Sequence, residues 1–450
     1  GLTPQPMIEV TQYIDSQNVN ATILSYFTSN IPSAIWYEGE WGLNKGYPSV
    51  IALHDGRFFS GMGDRIYGSV SDSFYSYTPD QQGDSGPIQR SIGYGPAYSM
   101  AFLASLQRLI AGTEGSEVAI KSSQFDEPLT PTNFTLKDFS NYGSALVDAV
   151  KVDGRCFFAK KSGTRLMVVE YNVDSQDYVS DDATKLCPDI FLNKPIRRIA
   201  IQRHPDTRIH VVRDDGTVVL YVFQPRDEVK CLVEIELPGG VVEDVCVLSG
   251  TFEDKVYYVV KRTINGVMKR YIERWAMEHE CVGGRINKLA DCHVAATQTP
   301  SRVISGLGHL EGKEVVVWGS QKDLGTYTVS GAKITVSQDV DDYVVGIGYD
   351  ADFKSTKLAY AAGGGTALTQ KKRLDHLGLC LYKTHAQGLK YGPTFDRLTN
   401  LPKIVEGKTF TSDFIHDEYD HAVVPVHGPW STDSRICLRA SAPRPCTVLA

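Results

Sequence analysis

Between residues 50 and 276 the chain repeats one pattern: a short apolar run led by a basic residue. The runs read DGRFF at Arg57, LQRLIAG at Arg108, DGRCFF at Arg155, DTRIHVV at Arg208 and EDKVYYVV at Lys255. Their basic residues stand 51, 47, 53 and 47 positions apart. Each is preceded by a strand-like stretch (SVIAL, SMAFLA, LVDAVKV, RRIAIQR, EDVCVLS). Each run is followed, after a Gly-bearing turn, by another (DRIYGSV, GSEVAIKS, GTRLMVVEYN, GTVVLYVFQ, GVMKRYIERW). Strands separated by Asp-Gly and Gly turns form meanders, because such turns need the left-handed backbone these residues tolerate. A period of forty to fifty residues with three or four strands is the sequence appearance of a β-propeller blade. One such sheet has two faces and cannot bury both alone, so the units must stack. The pattern predicts blades across 46–276, opening near residues 50, 99, 146, 196 and 243. It also predicts that the basic residue flanks a solvated turn, and that DGR marks a period and not a site.

The flanking segments are less regular. Residues 1–45 carry ATILSYF and SAIWYEGEW, strands without a clear partner, which either complete a sixth blade or close a ring. Ser73–Pro96, rich in Ser, Gly, Tyr and Asp, is expected as an exposed excursion between blades. Residues 277–304 are expected as an irregular connector. From Ser305 to about Lys354, short strands with Gly turns every eight to ten residues predict a small inserted β-barrel or sandwich. Residues 355–450 are expected as a C-terminal β region, with AYAAGGGTALTQKKR as a linker and ICLRASAPRPCTVLA as two short strands bent at the prolines. A turn or two of helix is allowed near Ile8–Asn18 or Ile286–Ala290. The fold class expected is therefore all-β.

Composition supports strands. Among 450 residues there are 23 Tyr and 17 Phe, with 22% charged residues. The formal charge of −7 argues against a basic surface that grips nucleic acid. No apolar run is long enough to span a membrane as a helix. The first residues show no secretory signal, and the missing initiator Met points to processing or to a piece of a longer chain.

Chemistry is sparse. The nine cysteines include no CxxC and read as thiols of a reducing compartment. One cluster holds zinc-ligand types, His279, Cys281, Cys292 and His293, but its spacing fits no finger or ribbon. Metal site, Cys281–Cys292 disulfide and plain thiols beside a loop all stay open there. DVDDY at Asp339–Tyr343 lacks the Gly and Glu of an EF-hand and reads as a solvated acidic turn. AAGGGT lacks the Lys-Ser/Thr of a phosphate loop. No GxSxG, HExxH or repeated aspartate box appears, so no catalytic, cofactor or metal residue is assigned and no enzyme is expected.

Several stretches resemble the tail nozzle, or tail tubular, proteins of short-tailed bacteriophages. GYPSVIALHDGRFFSGMGDRIYGSVSDSFYSY is similar to their Tyr-Pro-led strand segment. SGLGHLEGKEVVV, TVSGAKITV and YVVGIGYDADFKSTKLAY resemble a small barrel inserted in those proteins, and KKRLDHLGLCLYKTHAQGLKYGP and RICLRASAPRPCTVLA their closing strands. The resemblance covers most of residues 46–450. It implies a virion tail protein made in the host cytoplasm, with six copies around the tail axis and DNA leaving through the channel without specific binding. It also implies docking on an adaptor ring and contact with tail fibres or plugs. Family members carry an upstream platform segment and continue briefly beyond CTVLA. The competing readings are a propeller-type receptor module that binds or cleaves glycans, with aromatics and carboxylates converging at one end, and a cellular propeller scaffold, a monomer with a peptide-binding top face.

Overall fold

The computed structural model describes the chain apart from residues 1–6, 25–26, 28–30, 34–35, 37–38, 44, 80, 94–98, 123–126, 360, 363–364, 406, 410, 412 and 450. It opens with a hairpin, β1 (Ile8–Asp15) and β2 (Asn18–Ile23). The helical turn allowed near Ile8–Asn18 is not formed. Ile, Val, Thr and Tyr favour a pleated backbone, and the Asp15 carboxylate closes the turn by accepting the Gln17 N–H at 2.8 Å. The hairpin joins no other sheet among the described residues, and both strands are exposed along their whole length.

Four meanders follow. The first sheet holds β3 (Val50–His54), β4 (Arg57–Met62), β5 (Arg65–Gly68) and β6 (Ile88–Ser91). The second holds β7 (Met100–Ser105), β8 (Leu109–Thr113), β9 (Glu117–Lys121) and β10 (Thr135–Ser140). The third holds β11 (Val150–Val152), β12 (Arg155–Ala159), β13 (Leu166–Asn172) and β14 (Asp177–Asp182). The fourth holds β15 (Ile196–Gln202), β16 (Arg208–Arg213), β17 (Val218–Gln224) and β18 (Val229–Ile235). A fifth sheet stops at three strands, β19 (Gly240–Leu248), β20 (Lys255–Ile264) and β21 (Val267–Arg274). The opening residues Val50, Met100, Val150, Ile196 and Gly240 lie within four positions of the expected blade starts.

The fold is all-β and built of propeller blades, and period-2 alternation shows why. In β8, Leu109 and Ala111 pack with Phe59 and Ile66 of the first sheet. The intervening Ile110 packs with Phe158 and Val169 of the third. Successive side chains leave a strand on opposite faces, so the second sheet buries one face against each neighbour. Among the described residues there is no α-helix, only short 3-10 turns.

By internal contacts the chain divides into Gly1–Ile201 and Gln202–Ala450. In the first unit, Glu117 at the head of β9 is fully buried. Its carboxylate accepts the Ser144 hydroxyl at 2.8 Å and the Ser140 hydroxyl. Burial raises its pKa despite these bonds. A carboxyl raised in the folded state loses stability as pH climbs above its unfolded value of about 4.3. Glu117→Gln is therefore expected to gain on the wild type as pH rises from 5 to 8, measured as paired melting temperatures; a constant difference would contradict the assignment.

In the second unit a buried polar network joins the fourth and fifth sheets. His210 Nδ1 meets the Tyr258 hydroxyl at 2.7 Å, Nε2 meets Gln202 Oε1 at 3.2 Å, and the Trp275 ring stands edge-on. Burial pushes His210 down to about 3, so it stays neutral.

The stretch expected as an irregular connector contains a fifteen-residue strand, β22 (Asp291–Ser305). It pairs with β25 (Lys333–Ile347) in a sheet ordered β22-β25-β23-β24, with β23 (Glu314–Gly319) and β24 (Lys322–Thr328). This small β-unit thus starts before Ser305 and has its own core, including Ile304, Leu310, Val317 and Val345. Ile286–Ala290, the other helical candidate, forms no helix.

β26 (Asp350–Lys354) leaves it for the C-terminal region. The expected glycine linker carries a minimal hairpin, β27 (Ala361–Ala362) with β28 (Gly365–Thr366). Then come β29 (His376–His385), β30 (Leu389–Gly392), β31 (Thr399–Asn400), β32 (Ile404–Val405) and β33 (Lys408–Thr409). The last are β34 (Ile415–Pro425), β35 (Cys437–Ser441) and β36 (Thr447–Val448). β35 and β36 are the two short strands expected around Pro443 and Pro445. Two interleaved sheets result, β26-β35-β30-β31 and β34-β29-β36, while β32 and β33 pair with each other.

Candidate functional site

The repeat predicts solvated basic residues, but four of the five are drawn into ion pairs or carbonyl contacts. Arg57 is 2% exposed. Its guanidinium donates to the carbonyls of Ser69 and Gly86, both at 2.6 Å, and of Asp84 at 2.5 Å. It thereby holds the long loop between β5 and β6. That loop contains most of the stretch expected between blades, and the described part of it before β6 lies inside the first blade. Tyr75 there is 87% exposed, whereas Tyr77 is held by a bond to the Phe58 carbonyl and by the Trp41 ring. Arg108 reaches Asp177 of the next sheet at 3.3 Å, and Lys137 joins the same carboxylate. Arg155 pairs with Glu170 at 2.7 Å, and Arg208 with Asp206 and Glu278. Lys255 alone of the five is exposed. Arg57→Ala leaves buried carbonyls without donors, which costs about 1–3 kcal/mol for each group left unpaired. The variant should lose at least that much in urea unfolding and should be cut first within 69–87 by protease; an unchanged midpoint would refute the role.

The DGR turn that marks the period also walls a cleft of ≈ 290 Å³, lined by His54, Asp55, Gly56, Arg57, Phe74 and Ser105 among others. His54 closes β3 and Ser105 closes β7, and Nδ1 meets Oγ at 2.9 Å. Nε2 of the same ring faces the Asp55 carboxylate at 3.3 Å. Lys151 donates to the Ser105 carbonyl at 2.7 Å. Burial lowers the His54 pKa, against the pull of Asp55. Ser, His and Asp meet here, but with the ring reversed: a hydrolytic relay sets Nε2 on the serine and Nδ1 on the acid. The volume also lies at the small end of ligand pockets. The geometry ties the first blade to the second, and its chemistry is that of a polar latch with a shallow mouth.

Sequence reading missed this contact, although one signal was present. His54 and Ser105 both lie three residues before the basic residue of their repeats, Arg57 and Arg108. Equivalent positions in stacked units are neighbours.

The other candidates are dispersed. His279 lies exposed in a 3-10 turn. Cys281 and Cys292 are free thiols, each pushed up to about 12 by burial first, and Cys292 packs against the small β-unit's core. His293 donates from Nδ1 to the Ala290 carbonyl at 3.0 Å, and burial lowers its pKa. No group of three or more metal-binding side chains converges among the described residues. Asp339–Tyr343 lies inside β25 and is not a turn; Asp342 is 5% exposed, accepts Thr297 at 2.8 Å and pairs with Arg285.

No family model matches the chain, and no curated protein does. Solved structures with some likeness include the β-propeller domain of Cps50 (Swd1) from Myceliophteria thermophila, at 10% identity and a TM-score of 0.30, over 66% of this chain and 96% of that one. Human WBSCR16 (10%, 0.29) is matched over 50% of this chain and 66% of that one. Raptor of Chaetomium thermophilum (9%, 0.29) is matched over 67% and 28%. Likeness of this degree bears on neither function nor partners, and the blades are read from the sheet order itself.

Proposed function

We propose that the chain is a structural subunit of a bacteriophage tail, a nozzle or tail-tube component that joins copies of itself into a ring-shaped conduit for DNA. The observation that carries this reading is the sheet β26-β35-β30. Its strands come from YDADFK, ICLRAS and GLKYGP, three of the stretches that resemble the nozzle family. Segments up to about ninety residues apart, each similar to that family, thus meet in one sheet, although the resemblance groups YDADFK with the small barrel and not with the closing strands. The blades and the small β-unit with its own core accord with the same reading.

Charge adds to it. Six copies of a subunit at −7 would carry about −42, and a lumen sharing that charge repels a polyanion. A channel that bound phosphates in each subunit would hold the duplex it must release. Adaptor and fibre contacts follow from the resemblance. The test is the mass of the purified protein in solution together with its particle image. A six-fold ring with an open centre is expected; a monomer with measurable glycan cleavage would replace this reading with the receptor-module one.

A further inference from the structure

Among the described residues, the fifth sheet lacks the strand that its four predecessors have. In those sheets the third strand is covered: β9 and β17 are almost wholly buried, β5 has one exposed residue and β13 none. β21, the third strand of the fifth sheet, is its edge, with Val267 54%, Met268 59% and Ile272 77% exposed. An open edge presents unpaired main-chain donors and acceptors and is a template for another strand.

The β1–β2 hairpin has the opposite deficiency. It is formed, yet it has no core, with Ile8, Val10, Tyr13 and Ile14 each at least half exposed. Two-stranded hairpins are at best marginal in water until a third strand or a packed face supports them. β1 spans eight residues, and so does β21. β1 carries Glu9 and Asp15 and no basic residue, while β21 carries Lys269, Arg270 and Arg274 against Glu273. Arg270 and Arg274 already face Glu243 and Glu280 of their own chain, which leaves Lys269 as the added positive charge along this edge.

We infer that β1 of one copy adds to the β21 edge of a second copy and supplies the fourth strand of the fifth blade. Main-chain bonds give such strand addition its affinity, and alternate side chains its register. The contact is heterologous, since donor and acceptor surfaces differ, so it runs head to tail and closes a ring or grows a chain according to its rotation. It does not depend on the conduit reading, because head-to-tail subunits can serve other ends.

Two variants test it by sedimentation. One lacks residues 1–24 and keeps the β21 edge. The other, Lys269→Glu/Ile272→Glu, keeps the hairpin and turns the edge acidic without touching the core. The wild type is expected to assemble and each variant alone to stay monomeric, with unchanged melting. Mixed at equal concentration, they should stop at one-to-one dimers, because only one donor and one acceptor remain. Adding Glu9→Lys/Gln12→Lys to the acidic-edge chain should restore at least about tenfold of the lost affinity. A ring that persists without residues 1–24 overturns the inference and leaves the conduit reading standing. Open chains that need the hairpin would do the reverse, and a monomeric wild type overturns the inference directly.

Discussion

Arg262→Ala should destabilise the Gln202–Ala450 unit by about 3–5 kcal/mol, the usual cost of stranding buried charge. The guanidinium, 3% exposed, forks onto Glu273 at 2.6 and 2.7 Å and reaches both Asp291 oxygens at 2.9 Å. It also donates to the Pro238 carbonyl at 3.0 Å. This group joins the fifth blade to the first strand of the small β-unit. Burial first, and the Glu273 charge beside it, raise the Asp291 pKa even with the arginine present. Without Arg262 the Asp291 carboxyl rises further, so the folded variant binds more protons than its unfolded chain. Stability then falls as pH rises. The deficit should be larger at pH 8 than at pH 5 in urea unfolding. Replacing all three residues with apolar groups of similar volume should recover most of the loss, because the stranded charge and not the missing volume is the cost. A pH-independent deficit, or no recovery, would refute this account.

Trp318→Ala should cost a similar amount, about 3–5 kcal/mol, through the cavity it opens. The indole is wholly buried on β23, donates from Nε1 to the Gly284 carbonyl at 2.9 Å, and stands edge-on to His385 at 6.2 Å. Trp318→Phe keeps an aromatic ring and loses one hydrogen bond, to the carbonyl of the exposed Gly284, so about 0.5–1.5 kcal/mol is expected. The ordering of Ala below Phe below wild type, read from unfolding midpoints, checks the assignment. Equal losses would mean that the bond and not the packing dominates.

The blades were legible because their information is local. Asp-Gly turns, an apolar run and a following Gly turn lie within about thirty residues, and tight turns fix register. What failed was set by partners far along the chain. Arg57 looks solvated beside Asp55 and Gly56; the carbonyls that bury it belong to residues 69–86. β22 reads HVAATQTPSRV, with Pro, Gln and Thr in place of a clean alternation. It is a strand because β25 lies beside it, a tertiary override of weak propensity. Asp342 looks like part of an acidic turn until Arg285, 57 residues away, reaches it. The candidate cleft was hidden for the same reason, although His54 and Ser105 hold equivalent places in their repeats. Sequence showed the repeat, and the contacts between repeats required the third dimension.

The interleaved C-terminal sheets carry a consequence for synthesis. Each blade pairs strands that leave the ribosome one after another, so blades can form while the chain is still growing. β26 cannot. Its partner β35 begins at Cys437, more than eighty residues downstream, and β30 needs the same strand on its other side. Until residues 437–441 emerge, Asp350–Lys354 and Leu389–Gly392 present unpaired edges, and Tyr391 lacks Leu438 from its core cluster. A nascent chain halted at about residue 430 would then carry finished blades and a sticky tail. The strand Cys437–Ser441 acts as the fastener of the C-terminal region, and chaperones would be needed most in the interval before it closes.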